Sequence, residues 1–373
     1  MYLNNDKKIN IRYACYLNSS GYSFSAQNYI LSLNNPKLYD IKIDILGDGK
    51  PARPSISDKS YEFYMGLTKK KSTDGQVLIY HCIPPMQRKV KNRPKKTVGF
   101  ATFETFDPPR KWVEILNKND AVIVPSLFNK KVFLNAGINK PIYYIPHCLN
   151  FNDYHRDVKK LKKYEKFTFL FIGTWRERKG YHQLIDAWLS EFYGNNEVQL
   201  VIKTDKSKEA RRYIDKVKKQ LGISKGFSNI LIENKVFDVE SMPSYMKSFD
   251  CLLMPTMGEG FNIPGLQSMA LGVPVIITDF SGCTDYASEK TATLLKPEGF
   301  VIKKNMDNIP QFRDKKWAFV SAEKIKDAMI EVMSNREVVE DKVNNAYTFV
   351  KDRFNYESIE KTFREMLGFL IDG

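Results

Sequence analysis

Short runs of β-branched and aromatic residues recur along the chain with helical segments between them. They fall at 11–17, 41–46, 77–83, 98–102, 121–125 and 142–145, then at 167–172, 198–203, 230–233, 251–255 and 275–278. Most of the runs are largely apolar and bounded by turn residues, which suits strands covered on both faces, as in parallel sheets with crossover helices. Between the two series lies 150–166, NFNDYHRDVKKLKKYEK, polar and rich in lysine. A domain boundary is expected there, giving an N-terminal domain over 1–150 and a second over 151–353. In the tail 354–373, Ile359, Phe363, Met366 and Leu370 share one helical face. That helix must dock and is expected to return to the first domain. The predicted class is α/β, two doubly wound Rossmann-like domains facing a central cleft at the carboxyl ends of their strands.

Length and composition agree with two domains. The chain has 373 residues, 43% hydrophobic and 13% aromatic, enough for two cores and too apolar for a disordered chain. No apolar run approaches the ~18–20 residues of a membrane helix. The N-terminal MYLNNDKKIN lacks the apolar stretch of a secretory signal, so a cytoplasmic protein is expected. The five cysteines (15, 82, 148, 251, 283) are widely spaced without a CxxC, which suits buried free thiols and neither a disulfide nor a zinc scaffold.

Charge adds a bias toward anionic partners. The net charge is +15, and between Arg88 and Lys96 the chain reads RKVKNRPKK, six basic residues and no acid. Pro94 and the missing apolar period make this a loop, expected to face an anionic acceptor or anionic membrane headgroups if it is more than a solvated surface. A second basic stretch, 206–225, places Ala210, Ile214, Val217 and Leu221 at helical spacing with Gly222 as a stop. It reads as an amphipathic helix with a basic outer face.

Two segments carry chemistry. In MPTMGEGFNIPGLQSMALG, 254–272, a strand end leads through Gly258, Glu259, Gly260, Phe261 and Asn262 into a helix opened by Pro264. The glycines admit close approach of a ligand, and the helix N-terminus offers free N–H groups to phosphate or hydroxyl oxygens. Glu259 in the loop and Gln267 one turn into the helix address opposite ends of an elongated ligand. In FLFIGTWRERKGYHQLIDAW, 169–188, Arg176, Arg178 and Lys179 crowd the loop between a strand and a helix, a setting for a diphosphate. Taken singly, each segment also reads as an ordinary turn.

Together, in this order and separation, they resemble the donor-binding half of the retaining GT-B glycosyltransferases of family 4. The E-x7-E pattern is met by Glu259, with Gln267 in place of the second acid. The G-x5-K-G segment is met as Gly173 to Lys179-Gly180, with Thr174 where an arginine is usual, so that Arg176 or Arg178 supplies the second cation. The likeness extends to 280–286 (FSGCTDY), 100–109 (FATFETFDPP), 124–126, 145–147 and 18–23 (NSSGYS). The resemblance implies a nucleoside-diphosphate-sugar donor in the second domain and an acceptor, a glycan or a lipid-linked molecule, in the first. It implies Lys179 with Arg178 or Arg176 at the diphosphate and Glu259 with the amides of Gly260, Phe261 and Asn262 at the sugar. Gln267 would take the ribose, and Gly21 would approach the phosphates. Glu104 and Asp107, with His81 and His147, are the acceptor-side candidates.

Neither a cofactor nor a metal is expected, since no DxD ends a strand and the four histidines (81, 147, 155, 182) are scattered. Two rival readings remain: a binding module of this shape without catalysis, suggested by Gln267, and a glycosyltransferase acting on nucleic acid, suggested by the charge. No nucleic-acid recognition motif accompanies the latter, so nucleic acid is not an expected partner.

Overall fold

The computed structural model describes residues 8–47, 58–70, 75–223 and 229–372. The first domain runs β1 (Ile9–Cys15), α1 (Gly21–Ser32), β2 (Tyr39–Ile45), α2 (Asp58–Lys69), β3 (Val77–His81), β4 (Lys96–Phe100), α3 (Arg110–Leu116), β5 (Ala121–Val124), α4 (Leu127–Asn135) and β6 (Ile142–Tyr144). Its six strands are parallel in the order β2-β1-β3-β4-β5-β6.

The second domain runs β7 (Phe167–Ile172), α5 (Tyr181–Glu191), β8 (Val198–Lys203), α6 (Ser207–Gln220), β9 (Ile230–Glu233), α7 (Met242–Lys247), β10 (Cys251–Met254), α8 (Ile263–Ala270), β11 (Val275–Thr278) and β12 (Thr293–Leu295). Its sheet is also parallel, ordered β12-β11-β10-β7-β8-β9. An antiparallel hairpin, β13 (Gly299–Lys303) and β14 (Lys315–Phe319), follows. The chain closes with α9 (Ala322–Ser334), α10 (Arg336–Arg353) and α11 (Tyr356–Asp372).

Local chemistry accounts for the helix limits. Ser20 and Ser126 cap α1 and α4 by accepting from amides three residues on. Gly222 and Gly272 follow α6 and α8 with φ of 68° and 66°, the left-handed turn that stops a helix. Ala210, Ile214 and Val217 of α6 are buried, whereas Leu221 lies past the helix end and is 56% exposed. Ile359, Phe363, Met366 and Leu370 of α11 join the core of the first domain, where Phe363 meets Tyr29 of α1 edge-on. Each such side chain contributes roughly 1.5–3 kcal/mol of transfer free energy, so α11 straps the end of the chain onto the first domain. All five cysteines are buried and free.

The hairpin was not legible as strands. Its apolar stretch, Phe300-Val301-Ile302, is only three residues long, and Phe300 and Ile302 are 49% and 63% exposed. Its buried side is shared between domains: Met257, Met306, Phe312 and Trp317 pack with Ala101, Phe103, Trp112 and Phe133 of the first domain.

Candidate active site

The second sheet reverses its order between β7 and β10, and ligands of open α/β sheets bind at the carboxyl ends beside such a reversal. The loop after β7 carries Arg176, Arg178 and Lys179, and the loop after β10 carries Glu259. Lys179 Nζ donates to Glu259 Oε1 at 2.6 Å, and Arg178 Nη1 to Glu259 Oε2 at 3.1 Å. Arg178 Nη2 also lies 3.5 Å from Glu104 Oε1, which follows β4 of the first domain.

Glu259 is buried, which pushes its carboxyl up, but Lys179 and Arg178 outweigh burial and hold it below the usual range. Glu104 goes the other way: burial raises it, and the favourable Arg178 charge is countered by Glu259. The Arg178 guanidinium loses by burial and gains more from Glu259, Glu104 and Asp307, so it stays charged.

The glycine loop is threaded between domains. A Cβ at Gly260 would overlap Thr102 Oγ1, and one at Gly258 the carbonyl oxygen of Glu104, so only glycine fits against the end of β4. Asn262, with φ 68°, caps α8 by accepting from the Gly265 amide at 3.3 Å. Among the described residues, the amides of Gly260, Phe261 and Asn262 donate to no protein acceptor. These groups form a donor array at the N-terminus of α8.

Beside this array a cavity of about 210 Å³ opens between the domains. Its first-domain wall includes Gly21, Phe24 and Gln27, and its second-domain wall Tyr154, Asp238, Ile263 and Gln267. Gln267 Nε2 donates to the Tyr154 hydroxyl at 2.7 Å.

Sequence-predicted residues fall into two groups. Lys179, Arg178, Glu259 and Glu104 come together, with the half-buried Gly173 and Thr174 opening the same loop. Arg176 Nη1 is committed to the Asp307 carbonyl at 2.9 Å. Gly21 and Gln267 share the cavity.

His81 needs correction as a cleft residue. It is fully buried at the end of β3, stacked on Phe100 at 4.0 Å, with Tyr13 OH at 2.7 Å from Nδ1 and Ser25 Oγ at 2.9 Å from Nε2. Both ring nitrogens are thus satisfied inside the core. His147 is buried against Phe261, edge-on at 5.0 Å, and burial pushes its pKa down to about 3, so it is neutral. Asp107 is exposed and makes no ion pair among the described residues.

The basic loop lies away from the candidate site. Residues 92–96 line a separate cavity of about 640 Å³ with Arg12, Gly75 and Gln76. Gly75 and Gln76 precede β3, and Lys96 begins β4, so this cavity lies at the amino ends of the strands, opposite Glu104.

Two contributors escaped sequence reading. Ser281 accepts from the Glu259 amide at 2.8 Å, and the Gly282 amide donates to the Glu259 carbonyl at 3.0 Å, so the segment after β11 clamps Glu259. Its place in the 280–286 segment was the available signal. Asp307, from the hairpin, lies 3.4 Å from Arg178 Nε; nothing in the sequence around it pointed to the site.

Comparison with known proteins agrees with this architecture. A protein from Klebsiella pneumoniae, "Uncharacterized 41.2 kDa protein in cps region", is 25% identical over 193 residues, covering 48% of this chain and 49% of its own. "Uncharacterized glycosyltransferase MJ1607" of Methanocaldococcus jannaschii is 25% identical over 192 residues, 52% of this chain and 42% of that protein. The chain thus spans about half the length of these relatives. Anabaena Alr3699/HepE, solved in complex with UDP and glucose, shares the fold with a TM-score of 0.67 at 13% identity, covering 97% of this chain and 100% of that one. Residues 166–309 match the family described as Glycosyl transferases group 1, and the chain as a whole has a GT-B fold.

Proposed function

We propose that the protein is a glycosyltransferase that moves a hexose from a nucleoside-diphosphate sugar to an acceptor held by the first domain, with retention of anomeric configuration. The observation that carries this reading is the Lys179–Glu259–Arg178 cluster at the sheet reversal, beside the free amides at the start of α8.

A diphosphate entering there draws the Lys179 ammonium, with Arg178 alongside, and these charges stabilise the leaving nucleotide as negative charge builds on it. Glu259 and the amides of Gly260, Phe261 and Asn262 hold the sugar hydroxyls. The cavity at Gln267 takes the ribose, whose hydroxyls an amide can both accept from and donate to. Gly21 borders that cavity, leaving the α1 loop room to close over the phosphates. Glu104 is the acceptor-side group nearest this chemistry. The cations supply the positive charge that a metal would otherwise bring, so the reaction is proposed to run without one. Retention rests on the resemblance of the 259–267 segment alone.

No helix among the described residues is long and apolar enough to cross a membrane. The basic cavity at Arg93, Lys95 and Lys96 favours the membrane alternative for this loop, a peripheral contact with an anionic surface, over an anionic acceptor.

The test is a thermal-shift screen of UDP-, GDP- and ADP-sugars, since a ligand bound by the folded state raises its melting point. Turnover of the best stabiliser with and without EDTA follows, and the anomeric proton coupling of the product reads the stereochemistry. A protein that neither binds nor turns over any nucleotide sugar would be a binding module instead.

A further inference from the structure

Arg178 is held from three sides. Glu259 takes Nη1, Glu104 faces Nη2, and the Nε edge is covered by Asp307 at the tip of the β13–β14 hairpin. Asp307 Oδ1 also accepts from the Arg178 amide at 3.3 Å, and its carbonyl from Arg176 Nη1 at 2.9 Å. The Asp307 side chain is wholly inaccessible, at 0%. Its backbone has φ 56°, a left-handed conformation unfavourable for a residue bearing a Cβ. Such a conformation persists only where tertiary contacts over-determine it.

Those contacts come from both domains. Phe312, just beyond the tip, packs on Trp317 of β14 and on Phe103 of the first domain, at 5.1 and 5.7 Å between ring centroids. The Thr105 hydroxyl donates to the Lys316 carbonyl, tying the segment after β4 to β14. The Ala318 amide donates to the Met257 carbonyl at 3.0 Å, and the Met257 amide to the Arg178 carbonyl at 2.8 Å. Hairpin, first domain and cation loop therefore form one connected unit.

We propose that Asp307 is a positioning residue: it fixes the Arg178 guanidinium between Glu259 and Glu104 through a hairpin seated in the first domain. An arginine side chain has many rotamers, and its planar fork is useful only when its plane is set. Nη1 is held by Glu259 and the Gly258 carbonyl and Nη2 faces Glu104, while Asp307 Oδ2, 3.4 Å from Nε without a hydrogen bond to it, adds an electrostatic hold on the remaining edge. The consequence for turnover rests on the proposed glycosyltransferase function; the position of Arg178 does not.

The variant that tests this role is Asp307→Gly, because glycine adopts φ 56° without penalty and removes the carboxylate together with its methylene. A ligand-free crystal structure of this variant reads the position directly. The expected result is Arg178 swung out of ion-pair reach of Glu104 or Glu259. Arg178 unmoved between both carboxylates would overturn the proposal.

With the nucleotide sugar that the wild type turns over best, Asp307→Gly should lower kcat by about 10- to 100-fold, as small misplacements of an active-site group do. In an Arg178→Ala background the same substitution should change nothing further, because the two act as one unit. Wild-type kinetics, or a loss equally large without Arg178, would overturn it as well. Should Asp307→Gly fail to fold, Asp307→Asn keeps the shape and tolerates the same φ, and the same readouts apply. A wild type inert toward every nucleotide sugar would defeat the proposed function and leave the crystal structure to decide this inference.

Discussion

Lys179 and Glu259 meet across the reversal of the second sheet, one following β7 and the other β10, with 2.6 Å between ammonium and carboxylate. The pair joins two strand ends that are distant in sequence and presets the cation before any ligand arrives. Preorganised charge of this kind needs little rearrangement when charge develops in a reaction.

Removing the cation should therefore be costly to function and mild for the fold, since Glu259 retains Arg178 at 3.1 Å. Lys179→Ala is expected to weaken nucleotide-sugar binding and cut turnover by on the order of 10²-fold, the usual loss for one transition-state donor. Steady-state kinetics with the true donor check this, and unchanged kinetics would sink the assignment of Lys179 to the diphosphate.

Much of this site could be read from the chain because its parts are local. The strands covered on both faces, β7, β10 and β11, announce themselves as apolar runs, and the loops after β7 and β10 carry their charges within a few residues of a strand end. What was hidden is long-range. His81 stood as an acceptor-side candidate because nothing in LIYHCIPP says that Tyr13 and Ser25 will take both ring nitrogens. Asp307 was invisible for the same reason: its partner Arg178 lies more than a hundred residues away, and the hairpin carrying it has one exposed face. Which end of the first sheet bears the basic loop was not legible either, because composition records charge and not position.

Gln267 is predicted to bind and not to catalyse. Gln267→Glu should retain turnover and bind donor at least as tightly, because the Tyr154 hydroxyl can rotate to donate to the new carboxylate. Calorimetric affinity alongside the melting temperature provides the check. A folded but inactive variant would show that this pocket does not hold a ribose.

Glu104 gives the site a pH dependence whose sign can be worked out. Burial raises its carboxyl, Arg178 partly offsets this, and Glu259 adds to the rise. A bound diphosphate is a further negative charge, so it favours protonated Glu104 and raises that group again. Donor binding should therefore take up a proton, and affinity should fall as pH rises through the pKa of Glu104 in the free protein. Calorimetry in buffers of differing ionisation enthalpy, using a nucleotide sugar whose diphosphate does not itself titrate nearby, measures the uptake. Glu104→Gln should abolish it; an unchanged uptake in that variant would assign the proton elsewhere.

The basic cavity at the far end of the first sheet makes the last prediction. Arg12 is fixed by Asp44 at 2.5 Å and orders the loop by donating to the Lys91 and Asn92 carbonyls at 2.8 and 2.5 Å. Arg93, which reaches over the Tyr80 ring at 5.6 Å, and Lys95 and Lys96 line the same cavity and carry no carboxylate partner among the described residues. Each cation near an anionic membrane is worth about 1 kcal/mol, so neutralising these three together should weaken vesicle binding by roughly 10²-fold. Because screening shortens the reach of such charges to about 8 Å at physiological ionic strength, attachment should be strong at low salt and fade steeply as salt rises. Donor turnover should be unaffected, as the cavity lies opposite the Lys179–Glu259 pair. Flotation with anionic and with neutral vesicles, at two salt concentrations, measures all of this. Equal binding to both kinds of vesicle, or no loss on triple neutralisation, would leave the loop as a solvated surface.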